Sequence, residues 1–215
     1  MIHLLQQGEW VLFAVIIAAL VISLSFHEFG HAWVAKQFGD DTAERAGRLT
    51  INPRAHIDPM GLLMVVIVGF GYAKPVPTDP TRFTSRYADL LVAAAGPGMN
   101  LLLAIVTINI YVLGLKIGWG FFQQPGPYYF FSYLALINLL LMVFNLLPIG
   151  ALDGHYILPY LLPRRLASQY RYYNHRYGNW LLLLLVLLAV FDVPVFQSIL
   201  GVSRGILPSI VFLPL

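Results

Sequence analysis

His27, Glu28 and His31 fall within five residues, in the order His-Glu-Phe-Gly-His. On an α-helix, positions i and i+4 share a face, so the two imidazoles can grip one Zn²⁺ while Glu28 stands beside it to carry a proton. A short pattern of this kind recurs by chance, and its location is what sharpens it. The motif sits at the far end of an apolar run, from about Trp10 to Val34, that is long enough to cross a bilayer. Ionisable groups in hydrocarbon are costly and persist mainly where they face a cavity and do chemistry. The residues therefore point to a water-activating metal centre at a membrane, with Glu28 as general base on the metal's water and then as acid to a leaving amine.

A catalytic zinc usually takes three protein ligands and keeps one position open. The chain has no cysteine, so the third ligand must be His, Asp or Glu. Asp153 is the strongest choice, in Asn145-Leu-Leu-Pro148-Ile-Gly-Ala-Leu-Asp153-Gly154, where Pro148, Gly150 and Gly154 would break a helix and turn a carboxylate back toward the metal. His56 and His155 are rivals, each also readable as a loop residue or as a partner of a ligand. Asn145, one turn before Pro148, could hydrogen-bond a substrate backbone or a developing oxyanion. Asn100, beside Gly96-Pro97-Gly98, could also bind substrate, although an interhelical hydrogen bond is its simpler use.

The elements that must position these groups are membrane spans. Of the 215 residues, 59% are hydrophobic and 11% charged, which is outside the range of soluble globular domains. Four segments read as crossings: about 10–34, 90–113, 129–147 and 179–193. Seven of the thirteen Lys and Arg residues lie between the first two and four between the last two; only Lys116 and Arg204 lie on the other side. The positive-inside rule then puts both basic loops in the cytoplasm and both termini outside. It also brings the ends of the first and third crossings, hence His31 and Asp153, to the same cytoplasmic edge. The modest net charge of +3 gives no nucleic-acid surface. Tyr170, Tyr172, Tyr173, Tyr177 and Trp180 read as an interfacial aromatic belt.

The expected fold is thus an all-α polytopic membrane protein with about four transmembrane helices and a re-entrant β-strand or hairpin, at about 47–80, between the first and second. The β-branched run Val65-Val66-Ile67-Val68 within Leu62–Phe70 is too short to span and suggests a strand at the membrane edge. Its free edge could pair with a locally unwound substrate. Residues 1–193 form one catalytic domain, and 194–215 read as an interfacial or re-entrant tail. The chain shows neither the repeated halves with discontinuous helices of a transporter nor the several histidine boxes of a membrane di-iron oxidase.

At these residues the chain resembles the site-2 protease family of intramembrane zinc metalloproteases, in its compact prokaryotic branch without PDZ or CBS domain. The resemblance rests on His27-Glu28-Phe29-Gly30-His31-Ala32, Gly96-Pro97-x-x-Asn100, and Asn145-x-x-Pro148-x-x-x-x-Asp153-Gly154. Gly47-Arg48-Leu49-Thr50-Ile51-Asn52-Pro53-x-x-His56-Ile57-Asp58-Pro59-x-Gly61 and Lys74-Pro75-Val76-Pro77 support it. It implies one Zn²⁺ on His27, His31 and Asp153, Glu28 as catalytic base, and Asn145 holding substrate. It further implies cleavage of transmembrane protein substrates in the bilayer near the cytoplasmic face of a prokaryotic cell membrane. An inactive homologue that binds transmembrane helices is the alternative, and retention of Glu28, which binding alone does not need, weighs against it.

Overall fold

The structure, a computed structural model, describes residues 1–191 and 193–213. Ten α-helices and two 3₁₀ turns occur among them, and no strand. The helices are α1 (Ile2–Gln6), α2 (Trp10–Gln37), α3 (Thr42–Arg45), α4 (Pro53–His56), α5 (Pro59–Val68), α6 (Ala88–Lys116), α7 (Pro125–Asn145), α8 (Gly154–Leu161), α9 (Arg164–Val190) and α10 (Val195–Ile206). Three of them, α2, α6 and α7, are long and apolar enough to cross a membrane. At 1.5 Å per residue they reach about 42, 44 and 32 Å, against a hydrocarbon layer of about 30 Å.

These three helices form the bundle that carries the site. Helices α2 and α6 run antiparallel: His31 meets Val92 and His27 meets Asn100, while Leu103, further along α6, packs beside Ala19 and Leu20. Helix α7 packs on both, Leu134 and Ile137 against Ala19, and Ala135, Leu139 and Met142 against Ala104 and Ile108. Fully buried Ala19, Ala104 and Ala135 let the helix axes approach closely, the way apolar helices gain packing where lipid offers no hydrophobic contrast. Polar groups inside the bundle are satisfied locally; the hydroxyls of Ser23 and Ser25 each donate 2.7 Å bonds to carbonyls of Ala19 and Val21 on their own helix.

The expected re-entrant strand is not there: residues 59–68 form helix α5. Its ends explain why. Asp58 accepts from the amides of Met60 and Gly61, Pro59 occupies the first turn where a missing N–H costs nothing, and Gly69 closes the helix at φ +85°. Three helix signals thus outweigh four β-branched residues, and a helix keeps its backbone bonds internal, as a membrane setting requires. The segment 71–79 that follows carries neither helix nor strand.

The fourth expected crossing, 179–193, falls on the second half of α9, which ends at Val190, with residue 192 outside the described residues; α9 is not among the three helices that qualify as spans. The tail forms α10 and a 3₁₀ turn (Leu207–Ile210), docked on the bundle. Ile206, Leu207 and Ile210 pack in the core of α6 and α7, and Asn109 donates to the carbonyl of Ile210 and accepts from the amide of Phe212.

Candidate metal centre

Helix α2 places His27 and His31 one turn apart with both side chains turned into the bundle, and each imidazole is held at its far nitrogen. His27 Nδ1 lies 2.6 Å from Asn100 Oδ1, and His31 Nδ1 lies 2.7 Å from the carbonyl of Val92, both on α6. The Asn100 amide group is already committed, donating to the carbonyl of Ser23 (3.2 Å) and to Asn138 Oδ1 on α7 (2.8 Å), while Asn138 donates to the carbonyl of Leu134 (2.8 Å). Its Oδ1 therefore accepts, and His27 carries its proton on Nδ1. His31, facing a carbonyl, does the same. Both Nε2 atoms are left as bare lone pairs.

Those lone pairs converge. The two Nε2 atoms are 3.0 Å apart; Asp153 Oδ2 lies 3.2 Å from that of His27, and Asp153 Oδ1 lies 3.4 Å from that of His31. A tetrahedron with bonds of about 2.0–2.1 Å has edges of about 3.3 Å, which is close to these separations. Asp153 Oδ2 is buried and has no hydrogen-bond donor. Electron-rich atoms this close, with the imidazole protons turned away, are an arrangement that a bound cation would satisfy. Among the described residues this is the one group of three His, Asp or Glu side chains placed to hold a metal.

Space for the ion comes from a missing side chain. A Cβ on Gly96 would stand 2.6 Å from His27 Nε2 and closer still to His31 Nε2. The glycine of Gly96-Pro97 thus keeps the metal position open where α6 crosses the two histidines.

Glu28, next to His27 on α2, is 8% exposed, and its Oε2 accepts a 3.0 Å bond from the amide of Val76. Val76 stands between Pro75 and Pro77, which have no N–H, so this is the single amide those three residues offer. Buried Arg48 secures the segment, donating to the carbonyls of Lys74 (2.5 Å) and Pro75 (3.0 Å), and the Lys74 amide donates to the carbonyl of His56. His56 in turn donates from Nε2 to the carbonyl of Thr50 and faces Arg48 with Nδ1, 3.3 Å away. Burial, with the guanidinium beside it, pushes the His56 pKa below its ordinary value. At the far end of the segment, the Asp79 amide donates to buried Asp40.

Both rival ligands are therefore committed elsewhere. His56 belongs to the Arg48 support, and His155 Nδ1 accepts a 2.7 Å bond from Asn174 on α9. Asn100, which the sequence also offered to a substrate, is fully buried, with its Oδ1 on His27 and its amide hydrogens on Ser23 and Asn138. Asn145 is partly buried, its amide donating to the carbonyl of Leu141 on its own helix. Reading the sequence missed Asn138, Arg48 and the Val76 amide. Only an asparagine in an apolar helix and an arginine ahead of a proline-rich segment hinted at them.

The profile of peptidase family M50 matches residues 15–124 and 115–187, a range that holds the histidine pair, Gly96, Asn100 and Asp153. The chain belongs to this family, that of the site-2 proteases. Over 153 residues it is 42% identical to YwhC of Bacillus subtilis, which covers 69% of each chain. Over 160 residues it is 37% identical to Rip2 of Mycolicibacterium smegmatis, covering 70% of this chain and 59% of that one. MJ0392 of Methanocaldococcus jannaschii is 25% identical over 155 residues, 36% of its own length. All three are named as zinc metalloproteases. No solved structure gives a significant match. This M50 peptidase is a zinc-dependent metalloendopeptidase, and its apolar helices make it an integral, multi-pass membrane protein.

Proposed function

We propose that this M50 peptidase hydrolyses peptide bonds in or near transmembrane segments of membrane-protein substrates, with one zinc ion held by His27, His31 and Asp153. The convergence of the two Nε2 atoms and the Asp153 carboxylate, at 3.0–3.4 Å from one another, with both imidazole protons turned away, carries this reading. Bound zinc lowers the pKa of a coordinated water to about 7 and polarises a carbonyl. The chain's own residues do the rest. Glu28, one oxygen fixed by the Val76 amide, takes a proton from the attacking water and returns it to the leaving nitrogen. Asn145, at the end of α7, holds the substrate backbone through its Oδ1. Asn100 and Asn138 keep His27 in its ligating tautomer.

Charge supports an orientation. Lys36 in the last turn of α2, six basic residues between α2 and α6 and four in the first half of α9 make up eleven of the thirteen, and the positive-inside rule favours these ends, and the metal site, at the cytoplasmic face. The apolar half of α9 supplies a fourth crossing, so that both termini lie outside, and the setting is a prokaryotic cell membrane where cleavage serves regulated intramembrane proteolysis. The deciding experiment is metal analysis beside cleavage of a model membrane substrate. Glu28→Gln is expected to keep stoichiometric zinc and lose cleavage, and Asp153→Ala to lose both. Undiminished cleavage by Glu28→Gln, or tight zinc in Asp153→Ala, would overturn the assignment.

A further inference from the structure

We propose that Asn174 and Tyr170, both on α9, are positioning residues of the metal centre, fixing the backbone that presents the Asp153 carboxylate. The inference rests on the reading of Asp153 as the third ligand. Unlike the two histidines, whose rings are each tied at a second nitrogen, Asp153 has an oxygen with no donor, so its place is set by the backbone alone. That backbone is a break between helices, from Leu146 to Asp153, which turns through Gly150 at φ +61°.

Helix α9 grips this break on both sides of Asp153. The Gly150 amide donates to Asn174 Oδ1 and the Gly150 carbonyl accepts from Asn174 Nδ2, each at 3.0 Å. The second Asn174 hydrogen goes to His155 Nδ1, two residues beyond Asp153, at 2.7 Å. The Tyr170 hydroxyl donates to the carbonyl of Pro148 at 2.8 Å. Every donor and acceptor of the Asn174 amide is thus spent on residues that flank Asp153. Leu182, two turns further along the same face, packs with Leu152 and Ile149.

The rest of α9 makes the placement more telling. Apart from Ala167 and Gly178, Asn174 is the only residue of this helix that is buried among those described, and α9 is otherwise turned outward. A buried amide on an outward-facing helix is costly unless its bonds are all made, and here they are all made to the Asp153 break. Tyr170 therefore leaves the aromatic belt in which its sequence neighbours place it.

The test measures zinc affinity by chelator competition on the full chain in detergent, together with the visible spectrum of the cobalt-substituted protein. Groups that orient ligands typically contribute 10–100-fold in metal affinity. Asn174→Ala is expected to weaken zinc binding by about that factor and to shift the cobalt bands. Tyr170→Phe, which removes one hydroxyl and keeps the ring, is expected to weaken it several-fold. In an Asp153→Ala background, Asn174→Ala should change affinity less than about twofold, because it acts through a ligand already removed. The proposal is overturned if Asp153→Ala lowers affinity while Asn174→Ala and Tyr170→Phe leave affinity and spectrum unchanged. Equal losses from Asn174→Ala with and without Asp153 would overturn it too. Unchanged affinity in Asp153→Ala alone would instead remove the ligand assignment, a result that needs no α9 variant.

Discussion

His27 Nδ1 and Asn100 Oδ1 lie 2.6 Å apart in the middle of the bundle, and through Asn138 that contact joins all three spanning helices. The proposed ligand His27 on α2 is thereby aimed by α6, and α6 in turn is locked by α7. Asn100→Leu is expected to lower zinc affinity about 10–100-fold by freeing the imidazole to adopt the other tautomer. Asn138→Leu should cost less, since one protein group still intervenes. Competitive zinc titration checks both, and a larger loss from Asn138→Leu than from Asn100→Leu would contradict the direction of the chain.

Gly96→Ala should abolish metal binding, because its Cβ would stand 2.6 Å from His27 Nε2. Gly98→Ala, two residues along the same helix with no atom within 4 Å of the added group, is the matched control. It is expected to keep full zinc and to gain up to about 1 kcal/mol from helix propensity. Metal content and thermal unfolding of the pair separate the effect of the site from that of the helix.

Arg48→Met removes the donors that hold the carbonyls of Lys74 and Pro75, and with them the Val76 amide on Glu28. No ligand is touched. Zinc content should stay at wild type while kcat on a membrane substrate falls about tenfold or more, up to the 10²–10⁴ that general acid–base catalysis contributes. Loss of zinc in this variant would show that the segment supports the metal and not the base.

Acidification should destabilise the protein through His56. Its folded-state pKa is below the ordinary 6.5, so as pH falls below that value the unfolded chain takes up a proton before the folded one. The stability it contributes is complete above pH 6.5 and is lost as pH drops through the folded pKa, with a slope of at most about 1.4 kcal/mol per pH unit. Unfolding temperatures measured from pH 7 to 5 should fall less steeply in His56→Gln than in wild type.

The absence of cysteine allows a clean test of orientation. Single substitutions Arg171→Cys and Lys116→Cys should label with a membrane-impermeant thiol reagent from opposite sides of the membrane, position 116 from outside. Labelling of both from one side would remove the proposed topology.

Short-range physics made some of this molecule legible in the sequence. The pair His27 and His31 needed only a helix to share a face, and the three spans needed only length and hydropathy. Helix α5 was legible too, in Asp58, Pro59 and Gly69, yet the β-branched residues between them drew the reading to a strand, because caps act at the ends of a segment and propensity along its length. What the chain could not disclose are contacts between residues far apart in sequence. Span topology already brought Asp153 to the edge where α2 ends, but it did not show that Asn100 and Val92 set the imidazole tautomers, that the Val76 amide meets Glu28, or that Asn174 grips the break before Asp153. An asparagine in an apolar helix looks the same whether it faces lipid, another helix or a ligand. Only packing decides which neighbour receives its hydrogen bonds, and so which nitrogen of His27 is left for the metal.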